Sequence, residues 1–269
     1  MRKKSMLLAI FAIFILILSG CGKEGSTIQS YHKPNKPSSN EVIDVHGQVE
    51  NMERLNAFVV KVQAKQKDKI RLTRYTIEGD PIYHDLDFDG STLSFTFDST
   101  EDKFGNGEVT TYDCKGISKQ ESNTETKYML EGCPNSQIGE LLYISHDVDK
   151  EDYFAFELKY GTDKQNELDT REQVWTKDLQ NGEMMTISDF QLSTDPLNRI
   201  YKLMVYANYL QPKNLSTTCK EKSFDKYELT VWINSGKRNF EWTSCDQSKD
   251  GLEMTSLVQN IVAIAEEKH

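Results

Sequence analysis

The sequence predicts an α+β fold of two small modules, each a mostly antiparallel sheet packed by one or two helices. Apolar residues recur at intervals of three and four within 49–65, 196–209 and 252–265, which is the periodicity of amphipathic helices. Between these segments, short stretches alternate apolar and polar residues and are bounded by turn residues, as strands are. The chain has 269 residues, of which 37% are hydrophobic and 10% aromatic, so it can bury a core.

The first twenty-one residues predict a lipoprotein signal peptide. Arg2, Lys3 and Lys4 precede an unbroken apolar run at 6–18, which is shorter than the ~20 residues that span a bilayer. Leu-Ser-Gly-Cys follows at 18–21, so the segment resembles the lipobox of bacterial lipoproteins. The resemblance implies cleavage after residue 20 and transfer of a diacylglyceryl group to the thiol of Cys21. An uncleaved anchor with an incidental cysteine is the alternative.

Residues 21–41 are expected to form a lipidated, flexible tether. They are rich in Gly, Ser, Pro, Lys and Asn and have no apolar periodicity. A diacylglyceryl group supplies two acyl chains of the palmitate type, which is enough for stable anchoring. We therefore expect the protein on the outer face of the cell membrane, with an N-terminal α+β domain at 42–147 and a C-terminal one at 148–269.

One helix and six strands are expected in the N-terminal domain. The helix covers 49–65, with Asn51 as its N-cap. Asp89-Gly90 has the chemistry of a tight hairpin turn. The expected strands lie near 69–77, 83–88, 93–97, 108–115, 127–133 and 141–145.

The C-terminal domain is expected to follow a charged connection at 147–152. Its helices would run from Pro196 to about Tyr209 and over 252–265. Residues 161–173 are polar and are expected to be a loop. Trp232 and Trp242 are expected to pair across a hairpin. The expected strands are 154–160, 227–234 and 239–244.

Four cysteines follow the predicted anchor, two in each domain. Cys114 and Cys133 lie near the ends of neighbouring strands, and Cys219 and Cys245 bracket the second hairpin. An even number outside the cytoplasm predicts the disulfides Cys114–Cys133 and Cys219–Cys245, one of three possible connectivities. A metal site is disfavoured because no two cysteines have the short spacing of thiolate zinc sites. Free buried thiols are the remaining alternative.

An acidic hairpin resembles half of a calcium loop. Asp85, Asp87 and Asp89 occupy positions one, three and five, and Gly90 occupies position six. Position twelve, which needs a bidentate Glu, is Thr96. Because the flanks predict strands and not helices, a solvated sheet edge is the favoured interpretation, and the three aspartates are weak calcium candidates only.

No catalytic residue is predicted. Ser145-His146-Asp147 has the residue types of a hydrolase triad, but adjacent side chains on a strand point to opposite sides. The formal charge of −10 disfavours nucleic-acid partners. The sequence therefore predicts a protein that is not an enzyme and has no cofactor.

The segment RLTRYTIEGDPIY at 71–83 is distinctive, with Val-His-Gly at 45–47 and the cysteine contexts Cys114-Lys115 and Gly132-Cys133 around it. Over about 42–135 it resembles Bacillus-type surface lipoproteins that contain an uncharacterised domain, domain-of-unknown-function family 4362. The family has no established activity, so the resemblance implies no catalytic residue. It implies an Asp- or Asn-bearing hairpin and a cysteine pair at these places.

Four charged residues in this segment form a candidate recognition patch: Arg71, Arg74, Glu78 and Asp80. A structural corner, in which the two carboxylates pair with the arginines, is the alternative. The predicted function is a membrane-tethered binding or interaction module whose partner is an envelope protein, a peptide or a wall component. An envelope hydrolase with an unassigned site, or an accessory structural subunit of a membrane complex, are the other candidates.

Overall fold

Two hydrophobic cores organise the chain, one drawn from residues 42–144 and one from residues 156–265. The computed structural model describes residues 38–135 and 139–267. We call 38–147 the N-terminal module and 148–267 the C-terminal module. The predicted signal peptide, Cys21 and most of the tether lie outside the described residues. Among the described residues, no helix is both long and apolar enough to cross a membrane.

The N-terminal module is built on a six-stranded sheet, called here the first sheet. Its strand order is β2-β1-β3-β4-β5-β6. Only the β1–β3 pair is parallel, because helix α1 (Met52–Gln63) carries the chain back between those strands. The strands are β1 (Glu41–Val45), β2 (Gln48–Glu50), β3 (Asp68–Tyr75), β4 (Pro81–Phe88), β5 (Leu93–Asp98) and β6 (Val109–Cys114).

Helix α1 packs against the first sheet and against a second, three-stranded antiparallel sheet of β7 (Gly116–Glu121), β8 (Glu125–Glu131) and β9 (Glu140–Ser145). Its predicted apolar face is the buried face of the helix. Asn51 is the N-cap residue, as predicted, but its side chain makes no hydrogen bond to the first turn of the helix. Its side-chain amide donates instead to the Glu41 carbonyl at 2.7 Å. The buried helix residues are Met52, Leu55, Phe58, Val59 and Val62.

The C-terminal module has a third sheet that is antiparallel throughout, in the order β13-β12-β11-β10-β14-β15. Helices α2 (Thr194–Tyr206) and α3 (Lys249–Glu266) pack against each other and contribute to its core. A 3₁₀ turn, Val148–Lys150, precedes the module. The strands are β10 (Phe154–Gly161), β11 (Asn166–Asp169), β12 (Val174–Asp178), β13 (Met184–Ser188), β14 (Lys226–Ile233) and β15 (Gly236–Thr243). The predicted α+β class is confirmed.

Several elements differ from the prediction. Strands β1, β2, β7, β11, β12 and β13 were not expected, and β11 lies inside the expected loop 161–173. The β4–β5 connection is a four-residue loop and not the tight turn expected at Asp89-Gly90. A hydrogen bond from the Asp89 N–H to the Thr92 carbonyl, 3.2 Å long, closes it. Trp242 stands opposite Tyr227 and stacks on it, with ring centroids 5.1 Å apart. The expected pairing of Trp232 with Trp242 is wrong, since the register places Trp232 opposite Lys237.

The cysteines form two disulfides with the predicted connectivity. Cys114, the last residue of β6, is bonded to Cys133, which follows β8, so the bridge links the first sheet to the three-stranded sheet. Cys219 is bonded to Cys245, which joins the segment before β14 to the end of the β14–β15 hairpin.

Helix α2 connects the two modules. Val205 packs against both hydrophobic cores. The hydroxyl of Tyr206 is 2.6 Å from the Thr126 hydroxyl on β8, and the Tyr206 ring lies edge-on to His146. Just beyond the helix, the Asn208 amide donates to the Val49 carbonyl at 2.8 Å. These contacts fix the position of the second module against the first.

Candidate functional site

The core face of the first sheet continues past its packed part into an open cavity of about 510 Å³. Strand β4 shows the transition, because its alternate residues share one face. Phe88 and Leu86 are buried in the core, whereas His84 and Ile82 line the cavity. The apolar part of the lining is completed by β5 and β6, which contribute Phe95, Phe97 and Tyr112.

His84 is a buried polar residue in this apolar surface. It is 8% exposed and lies between the rings of Phe95 and Phe97, with centroid distances of 5.6 Å to each. Its Nδ1 atom has no hydrogen-bond partner within residues 38–135 and 139–267. Burial lowers the pKa of His84 to about 4, and the nearby charge of Arg74 acts in the same direction. The imidazole is therefore neutral at neutral pH and has an unmet hydrogen-bonding atom.

Arg74 forms one wall of the cavity. Its Nε atom donates to the Asp44 carboxylate at 3.0 Å, and the Gly47 N–H donates to the same carboxylate at 2.7 Å. The Asp44 side chain is 4% exposed, while that of Arg74 is 43% exposed. Asp44 thus holds the guanidinium group in place with part of it still facing solvent. Glu108 and Glu140 place carboxylates on other parts of the lining.

A second cavity, of about 630 Å³, lies between the two modules. It shares Arg74 and Glu140 with the first cavity. Its N-terminal wall includes the β1–β2 turn and β9, and its C-terminal wall includes α2 and the residues that follow it. Among the wall residues with amide or hydroxyl side chains are Gln48, Tyr143, Ser145, Asn208 and Asn234.

The structure separates the four residues of the predicted recognition patch. Arg74 lines both cavities, and the other three line neither. Arg71 donates two hydrogen bonds of 2.7 Å to Asp85, and Asp80 accepts from the backbone and ammonium group of Lys103. The expectation that Glu78 and Asp80 could pair with the arginines is therefore wrong.

The three calcium candidates, Asp85, Asp87 and Asp89, have separate sets of hydrogen-bond or ion-pair partners. Asp85 is held by Arg71 and Asp87 by Lys69. Asp89 accepts from the N–H groups of Ser91 and Thr92, which lowers the pKa of its carboxyl group. Asp85, Asp87 and Asp89 do not converge as a ligand group; within the described ranges, convergent acidic side chains occur instead at Glu157, Glu167 and Asp169.

His146 is fully buried and has partners for both ring nitrogens. Nδ1 lies 3.0 Å from the Asn123 carbonyl oxygen, and Nε2 lies 3.2 Å from the Thr126 hydroxyl. Neither contact involves Ser145 or Asp147. His146 therefore contacts the turn at Asn123 and strand β8 at the boundary between the modules, and burial lowers its pKa as well.

Sequence reasoning did not select His84, Glu108 or Glu140. One signal for His84 was present, because this histidine alternates with Ile82, Leu86 and Phe88 on the apolar face of a strand. The two glutamates gave no comparable signal, since they are far apart in the sequence and share only the lining of the cavity.

Residues 39–129 match the family described as "Domain of unknown function (DUF4362)". The predicted resemblance of this segment to an uncharacterised-domain family is confirmed. No curated protein matches the chain. The matched segment contains every lining residue of the first cavity except Glu140. The site described here is therefore largely a feature of that domain.

Proposed function

We propose that this protein is a binding module that holds a small amphiphilic ligand in the first cavity. The observation that carries the proposal is His84, which lines the cavity between two phenylalanine rings and whose buried Nδ1 has no partner among the described residues. Leaving such an atom unsatisfied costs about 1–3 kcal/mol. A ligand with a hydrogen-bonding group at this position removes the cost, so the arrangement favours occupancy.

The size and lining of the cavity agree with this function. Small-molecule sites enclose roughly 300–1,000 Å³ and combine apolar walls with a few polar groups. Here Phe95 and Phe97 provide aromatic surface, and Arg74 provides a cation held in place by Asp44. We infer a ligand with a ring or branched apolar part next to a polar or anionic group.

We propose that this module acts from the outer face of the cell membrane through a lipid on Cys21. Two disulfides support an oxidising compartment, where such bonds persist. The test is Cys21→Ser in cells, followed by membrane fractionation and determination of the precursor size. We expect an uncleaved precursor or release from the membrane, and unchanged size and retention would contradict the anchor.

Binding is tested by thermal shift on the full chain purified in detergent. The panel contains aromatic and branched-chain carboxylates, amides and sugars. A ligand at a hundred times its dissociation constant adds about 2.7 kcal/mol to the free energy of unfolding. His84→Leu should remove this shift, whereas Arg71→Gln, on the other face of β3, should retain it. Equal loss in both variants, or no shift with any compound, would contradict binding at this cavity.

A further inference from the structure

The two cavities are neighbours that share Arg74 and Glu140 in their linings. Arg74 lies near the end of β3 and Glu140 at the start of β9, and both residues belong to the lining of each cavity. With volumes of about 510 and 630 Å³, each is by itself large enough for a small molecule. A ligand long enough to pass these two side chains would therefore contact both linings.

The two parts differ in chemistry. The first has the rings of Phe95 and Phe97 on either side of the buried His84, with charged and hydroxyl side chains elsewhere in its lining. The second is lined mainly by polar side chains from both modules, including Gln48, Ser145 and Asn234. A ligand that matches both parts is apolar and compact at one end and carries regularly spaced hydrogen-bonding groups along the rest. A lipid chain lacks the second property, and an unsubstituted glycan lacks the first.

Asn208 provides an independent observation in the second cavity. Its Nδ2 atom donates to the Val49 carbonyl at 2.8 Å, which fixes the side-chain amide. Its Oδ1 atom is buried and has no hydrogen-bond partner among the described residues. Each cavity therefore has a wall residue with an unmet hydrogen-bonding atom, His84 in one and Asn208 in the other. An acceptor oxygen of this kind suits the N–H group of a peptide.

We propose that the ligand is a short extended peptide with an aromatic residue. The aromatic side chain enters the first cavity, where a phenol or indole group meets the neutral imidazole of His84. The peptide backbone then passes between the cation of Arg74 and the carboxylate of Glu140, which suit its carbonyl and N–H groups. It continues into the second cavity beside Asn208. This inference rests on the proposed function, because it identifies the ligand of the same site.

The test compares two probes on the full chain in detergent by isothermal titration calorimetry. One is N-acetyl-tyrosine amide, which fills the first cavity only. The other is a capped pentapeptide of one terminal tyrosine and four alanines. We expect the pentapeptide to bind at least tenfold more tightly. Asn208→Gly should reduce its affinity to that of the single residue, and His84→Leu should weaken both probes.

A matched control is Gln180→Gly. Like Asn208, Gln180 has a positive φ, 57° against 48°, but it is exposed in the β12–β13 turn and lines neither cavity. The Gln180→Gly variant should bind both probes with unchanged affinity.

If N-acetyl-tyrosine amide and the pentapeptide bind equally tightly, the peptide proposal is overturned while the small-ligand function stands. If a wall glycan binds the unsubstituted chain but not Asn208→Gly, and the pentapeptide does not bind, the ligand is a glycan. If no probe binds, both proposals fail.

Discussion

Arg71 and Arg74 lie on the same strand, β3, but their guanidinium groups serve opposite faces of the first sheet. Arg71 binds Asp85, and both side chains are more than 40% exposed. Arg74 binds Asp44, whose side chain is 4% exposed. Successive side chains on a strand alternate between faces, so a spacing of three residues separates the two arginines. One ion pair is therefore on the surface, and the other supports the wall of the cavity.

This difference predicts unequal costs for the same substitution. Arg74→Ala should lower the free energy of unfolding by about 1–3 kcal/mol, because it leaves a buried carboxylate without its cation. Arg71→Ala should cost less than about 1 kcal/mol, as exposed ion pairs do. Urea denaturation of both variants provides the measurement. Similar losses in the free energy of unfolding of the two variants would show that burial of the Asp44 carboxylate does not require Arg74.

The two buried histidines provide a second test. His84→Leu should leave the free energy of unfolding unchanged or raise it by about 1 kcal/mol, because an apolar side chain replaces an unpartnered polar one. His146→Leu should lower it by about 1–3 kcal/mol, because it leaves the Asn123 carbonyl and the Thr126 hydroxyl without a partner. Thermal and urea unfolding distinguish the two. A large loss for His84→Leu would assign that residue a structural role.

The pKa of His84 predicts a pH dependence of stability. Its pKa falls from the ordinary value of 6.5 to about 4 in the folded chain, through burial and Arg74 and against the opposing charge of Asp85. Between these values the unfolded chain binds a proton that the folded chain excludes. The titration of His84 therefore leaves the free energy of unfolding unchanged above pH 6.5 and lowers it by about 3 kcal/mol as the pH falls towards 4.

Urea unfolding at several pH values between 7 and 4 measures this contribution. His146 also has a lowered pKa, so the informative quantity is the difference between the unsubstituted chain and His84→Leu. The variant should lose less stability over this range. Parallel curves for the two proteins would mean that His84 titrates normally in the folded state.

The disulfides predict a dependence on redox conditions. The bridges close segments with sequence separations of 19 and 26 residues, and loops of that length correspond to about 3 kcal/mol each in the chain-entropy account. A reductant should therefore lower the melting temperature. Cys219→Ser with Cys245→Ser should reproduce part of the decrease. Peptide mapping without reductant should yield the two linked pairs, and four free thiols would contradict both bridges.

Much of the fold was accessible from local patterns. The buried face of α1, the β14–β15 hairpin and the cysteine pairs follow from periodicity and spacing, which depend on nearby residues. Strands β11 and β13 were missed because they are short and lack a clear alternation of apolar and polar residues. They are strands because they pair with β10 and β12 in the third sheet. Their conformation thus depends on hydrogen bonds to distant residues.

The candidate site likewise depends on contacts between residues that are distant in the sequence. Sequence reasoning selected Arg74 but paired it with Glu78 and Asp80, which are close in the chain. Its actual partner, Asp44, is 30 residues away and is brought near by the parallel β1–β3 pairing. Local spacing cannot predict such a pairing, because it requires the register of two strands that a helix separates.

The amino-acid sequence by itself predicted the fold class, most of the amphipathic elements, the pairing of the cysteines and the resemblance of residues 39–129 to an uncharacterised family. These properties depend on residue type and on spacing along the chain. Only the tertiary structure decided that the buried Nδ1 of His84 has no partner among the described residues and that Arg74 and Glu140 line two cavities. Those facts depend on strand register and on the packing of α2 between modules, which no local pattern contains.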